Sequence, residues 1–169
     1  MVGRLMIRGL GRVPGLLKLV AGLILIEGAM APEQVFQIAN VVALAGWLVL
    51  LFVPSNRAVV EGVARALVPS LLSVAYAVIL IPFLLRGGFG SLGSLEGLAA
   101  GLGQPWLLVA GWLHYLAFDL LVGAWEVTTA QDEEIPHYAL IPCLVFTFLL
   151  GPIGFLCFLI LRWTLGRRD

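Results

Sequence analysis

PWLLVAGWLHYLAFDLLVGAW, residues 105–125, is a run of apolar side chains interrupted by an imidazole, a phenol and a carboxylate at His114, Tyr115 and Asp119. A hydrocarbon core about 30 Å thick takes roughly 20 residues of helix to cross, so the run predicts a membrane-spanning helix. Holding an ionisable group at that depth costs on the order of a few kcal/mol, and such groups therefore face a bundle interior or a water-filled cavity.

The chain on either side repeats the apolar pattern. With 61% hydrophobic residues, 12% charged residues and a mean hydropathy of +1.05 over 169 residues, it is too greasy for a water-soluble domain. Residues 34–53, 66–85 and 138–163 are also long enough to span. The expected fold class is an all-α, polytopic membrane bundle of four transmembrane helices within residues 30–169. Turn signals separate the spans: Pro54-Ser55-Asn56-Arg57, a glycine-rich stretch over 86–94 followed by a short interfacial segment at 95–103, and the acidic loop Gln131 to Pro136. Ten basic residues balance ten acidic ones, so no global field favours nucleic acid. Cys143 and Cys157 lie roughly 21 Å apart along one predicted helix and cannot pair with each other. Structural zinc is excluded by the lack of Cys-x-x-Cys or paired-histidine spacing.

Four crossings place both ends of the core on one side. That side collects Arg4, Arg8, Arg12, Lys18, Arg86, Arg162, Arg167 and Arg168 against Arg57 and Arg65, which predicts cytoplasmic termini for a multi-pass protein of the inner (plasma) membrane. Arg4, Arg8 and Arg12 recur every fourth residue ahead of a short apolar run, Leu19 to Ile26. Residues 1–29 read as an extension forming a basic interfacial helix, and Met30 opens the segment that reads like a natural start. A signal peptide ending at Ala29-Met30-Ala31 is an alternative, disfavoured by Pro32 directly after it. A fifth span is another.

Helical geometry groups the polar side chains. At about 100° per residue, Trp112, Tyr115, Asp119 and Glu126 share one stripe, and Gly111, His114, Phe118 and Trp125 a neighbouring one. Tyr115 and Asp119 can hydrogen-bond directly. His114 sits about 140° around the helix from Asp119, so that pair needs a bridging water or substrate. Glu134 and His137 bracket Pro136 near Glu126 at the start of the last span. From His114 to Glu126 the helix rises about 18 Å, which predicts a tall slot rather than one compact site. The candidate acid–base residues are His114, Asp119, Glu134 and His137, and the candidate walls are Asn40, Trp47, Trp112 and Tyr115; Trp106 and Trp163 are assigned to the interface. The competing account is structural: buried polar groups link helices through hydrogen bonds worth about 1 kcal/mol, and Glu133 and Glu134 suit a helix first turn. Pro142 and then Gly151-Pro152-Ile153-Gly154 predict a kink near Gly151.

VFQIAN at 35–40 followed by Gly46-Trp47, AGWLHYLAFDL at 110–120, IPH at 135–137 and PCLVFTFLLGPIG at 142–154 resemble the abscisic-acid-deficient-four-like family of small membrane proteins. The likeness runs over roughly residues 34–162. The plant members are needed to make neoxanthin from violaxanthin, so the resemblance implies action on a carotenoid or related long isoprenoid lipid, as a neoxanthin-synthase-like isomerase. Opening a 5,6-epoxide to an allenic alcohol needs a proton delivered to the epoxide oxygen and one removed from the adjacent polyene carbon, which is acid/base chemistry without a cofactor. On that implication His114 is the base, Asp119 or Glu134 the acid, and His137 an orienting group. No metal is expected; a metal or haem held by His114 and His137 is a distant alternative. Expected partners are membrane lipids, the isoprenoid substrate, and further copies of the chain in a homo-oligomer or carotenoid-pathway enzymes. The competing function is non-catalytic: a membrane protein that holds a pigment or lipid, or supports assembly.

Overall fold

A computed structural model of the chain describes residues 30–88 and 93–166. The N-terminal segment and the helix expected there lie outside the described residues. Every described regular element is helical, so the all-α expectation holds. Helix α1, Pro32–Phe52, starts on a proline whose missing N–H is no loss in a first turn, and Gln34 folds back to accept from the Ala31 amide at 2.9 Å. Helix α2 covers Arg57–Gly88 and begins well before its apolar stretch. Asn56 caps it by accepting from the Val59 amide at 3.2 Å, and Arg57 pairs with Glu61 one turn on at 3.1 Å. Over Val60–Leu67 its turns widen, so that the Val68 amide bonds the Val63 carbonyl, five residues back. Helix α3, Leu95–Leu102, is short and is capped by Ser94; α4, Pro105–Asp132, is the longest unbroken helix; α5, His137–Leu150, and α6, Pro152–Leu165, follow.

Helices α1, α2 and α4 are long and apolar enough to cross a membrane. Helices α1 and α4 pack closely because glycines remove side chains at their contact. A β-carbon at Gly46 of α1 would lie 2.5 Å from Leu120 of α4, and one at Gly123 of α4 would lie 2.7 Å from the Trp47 ring.

The last apolar stretch does not run as one kinked span. If α5 and α6 were collinear, Arg162 would stand roughly 37 Å from His137. Instead the Arg162 guanidinium reaches Glu133, just before α5, with N–O separations of 2.5 and 2.6 Å. The two helices therefore form a hairpin that enters and leaves at the same end of the bundle. Each has 14 residues, about 21 Å of helix, so the tip stops near mid-depth. Sequence chemistry makes the reversal available. Gly151 adopts φ 48° and ψ −97°, Pro152 opens the new helix, and Gly154 lets α6 lie on α5, where a methyl group would overlap the Thr147 backbone.

That end of the bundle is tied together by an ion pair between Arg57 and Asp132, a bond from the Gln131 amide to the Pro54 carbonyl, and the His137 Nε2 atom 3.1 Å from the Leu51 carbonyl oxygen. Helix α1 thus starts at one end of the molecule and α6 finishes at the other. This corrects the expectation that both ends of the core share a side, and it moves Arg162 into the company of Arg57 and Arg65.

Candidate functional site

The α4 stripe predicted from helical spacing faces the other helices. Near its N-terminal end the Trp112 indole donates to Asn40 of α1 at 3.0 Å, while the Asn40 amide donates back to its own helix at the Phe36 carbonyl, 2.9 Å away. That second bond fixes which end of the amide faces Trp112. Trp112 then stacks on Tyr115 with ring centres 5.2 Å apart and contacts Phe36 at 5.6 Å. Between α1, α3 and α4 lies a groove of about 680 Å³ walled by Pro32, Phe36, Leu102, Leu108, Trp112 and Tyr115, with Glu33 at its rim. Its size and its few polar groups suit a large apolar ligand.

One turn beyond Tyr115, Asp119 lies against the hairpin tip. A β-carbon at Gly151 would be 2.9 Å from one carboxylate oxygen and 3.1 Å from the other. The N-terminus of α6, with its positive partial charge, starts at this point. Asp119 Oδ2 is buried and has no hydrogen-bond partner among the described residues, although Tyr115 interacts electrostatically with the carboxyl group. Two turns further on, Glu126 is wholly buried and accepts from the Thr147 hydroxyl at 2.9 and 3.2 Å. Glu126 was not among the expected site residues. Its signal was the shared stripe, seven residues after Asp119.

The other expected site residues are spread over the molecule. His114 turns to the outer surface, stacked on Phe118 at 4.6 Å and 5.6 Å from Tyr76, so it does not converge with Asp119. Trp47 is 2% exposed and packs edge-on to Phe148 at 5.4 Å, as core rather than cavity wall. His137 borders a separate pocket of about 160 Å³ with Pro54 and Gln131, at the end of the bundle opposite the groove's rim. Glu134 is an exposed residue in the turn between α4 and α5, with φ 55°. The single tall slot is therefore replaced by a groove at one end and a carboxyl column beneath it. Asn40, Trp112, Tyr115 and Asp119 come together; His114, Trp47, Glu134 and His137 do not join them. Among the described residues no three metal-binding side chains converge.

A model of the ABA DEFICIENT 4-like family matches residues 34–158. The chain belongs to that family. The ABA DEFICIENT 4-like match runs from α1 into α6, and so contains Asn40, Trp112, Tyr115, Asp119, Glu126 and the hairpin tip. Membership in the ABA DEFICIENT 4-like family suggests a carotenoid-pathway-related membrane protein. No curated protein and no solved structure matches the chain.

Proposed function

We propose that the protein takes a carotenoid or similarly long isoprenoid lipid into the groove between α1, α3 and α4 and isomerises it by acid/base chemistry centred on Asp119. The observation that carries this reading is the continuity of the groove wall, through Trp112 and Tyr115, with a half-buried carboxyl group whose buried Oδ2 has no partner among the described residues. One carboxyl group is enough for an epoxide-to-allene conversion. As the acid it gives its proton to the epoxide oxygen while the carbon–oxygen bond breaks. As the resulting carboxylate it takes the proton from the adjacent polyene carbon, leaving an alcohol, an allene and the acid restored. Nothing is oxidised or reduced. Tyr115 orients the carboxyl group, and Trp112, held by Asn40, forms the flat wall on which a polyene lies. His114, Glu134 and His137 have no step in this scheme. The membrane is the cell's plasma membrane, with carotenoid-pathway enzymes as neighbours.

The test is a carotenoid profile from a host in which the wild-type protein alters the profile. Asp119→Asn abolishes the change and Tyr115→Phe weakens it, while protein purified in mild detergent still shows a bound polyene absorption band. If Asp119→Asn leaves the altered profile intact, the acid/base assignment is wrong. The second reading, a non-catalytic pigment holder, is favoured by the predominantly apolar lining of the groove. It predicts a bound band and a profile that no wild-type expression changes.

A further inference from the structure

His114 lies about 7 Å along the helix from the midpoint of α4, and Tyr76 about 5 Å from the midpoint of α2, so both sit at hydrocarbon depth. His114 is exposed and Tyr76 half-exposed on the outer surface where these helices meet. Their rings touch, and neither makes a hydrogen bond among the described residues. An imidazole and a phenol facing acyl chains without partners carry an uncompensated polar cost. Beside them α2 presents Ser70, Ser73 and Ala77 within about 60° of arc, roughly opposite its buried face of Val68, Leu72 and Ile79. Small side chains spaced this way let a second helix approach closely, and hydroxyl and imidazole groups then bond across the contact.

We infer that this face of α2 and α4 is the interface between two copies of the chain, in which His114 and Tyr76 of one copy hydrogen-bond the same pair of the other. The occupant follows from the donor and acceptor inventory. A neutral imidazole and a phenol each offer one donor and at least one acceptor, so the pair is complementary to itself. A twofold axis along the membrane normal brings the two copies of the pair together at one depth, and Ser73, at the midpoint of α2, meets its own copy. The groove opens elsewhere, between α1, α3 and α4, so pairing leaves it free.

The experiment uses full-length chain in native membranes, with Cys143 and Cys157 replaced by serine. Ser73→Cys forms a disulfide-linked dimer on treatment with a lipid-soluble oxidant, and Val41→Cys, exposed on α1, does not. His114→Ala removes the bond from both copies and weakens dimerisation about eightfold, the loss of two symmetry-related interhelical hydrogen bonds. His114→Asn, which keeps a donor and an acceptor, restores it. Equal crosslinking at Ser73→Cys and Val41→Cys, or a dimer indifferent to His114→Ala, overturns the inference. Loss of bound polyene in His114→Ala without loss of the dimer also overturns it, by making the imidazole a ligand contact.

Discussion

Gly151 occupies backbone angles, φ 48° and ψ −97°, that an L side chain adopts only under strain, and it does so against the Asp119 carboxyl group. Gly151→Ala is therefore expected to cost about 1–3 kcal/mol, read as a lowered unfolding midpoint in detergent. Part of the cost is contact with Asp119, so the same substitution is expected to be milder in an Asp119→Ala background. Strictly additive losses would show that the two residues do not press on each other. Glu126 poses a different question, because its one hydrogen-bond donor among the described residues is Thr147. Glu126→Gln keeps an acceptor for that hydroxyl and is expected to stay within about 1 kcal/mol of wild type, whereas Glu126→Leu removes the acceptor and costs about 1–3 kcal/mol. Equal stability of the two variants would dismiss the bond as a contributor.

At the scale of elements, the reversal at Gly151 fixes where the ends of the core lie. In a background with Cys143 and Cys157 replaced by serine, Glu33→Cys and Thr164→Cys are expected to react with a membrane-impermeant maleimide from opposite sides. Labelling of both from one side would restore a fourth crossing. The Arg162–Glu133 pair marks the hairpin's base without being its main support. It is partly exposed, and Glu133→Gln is expected to cost no more than about 1 kcal/mol. The uneven legibility of these elements has physical causes. Helices α1 and α4 could be read from apolar length alone, and the stripe from Trp112 to Glu126 from helical spacing. Helix α2 starts earlier than the hydropathy predicts because Arg57, Glu61 and Arg65 belong to its first turns, where charge sits at the bundle end. The 138–163 stretch is apolar throughout, and hydropathy cannot distinguish one long span from two short helices folded together. The Gly-Pro-Ile-Gly segment announced a break, but its angle depends on Gly154 fitting against Thr147, a contact between residues of two helices. His114 was misplaced for a related reason: its 140° offset from Asp119 was visible, whereas which face of α4 the neighbours cover was not.

For the whole molecule, groove and core are separable. Gly111 lines the groove, and among the described residues a β-carbon there would meet Leu102 alone, at 3.5 Å. Gly111→Phe is expected to fill the groove and abolish polyene binding while leaving the unfolding midpoint close to wild type. Retained pigment with this ring in place would move the binding site elsewhere. The hairpin has a further effect on the three-helix core around it. Where α5 stops and α6 starts, the last carbonyls of one helix and the first amides of the other lack intrahelical partners, and this happens near mid-depth rather than at the membrane surface. Hydrocarbon cannot satisfy them, so protein or water must. Amides near the tip, at Ile153 and Gly154, should consequently exchange with deuterated solvent sooner than amides at the same depth in α1 or α4. The centre of the bilayer, ordinarily the slowest place for a protein to trade hydrogen with its surroundings, would here contain a fast one.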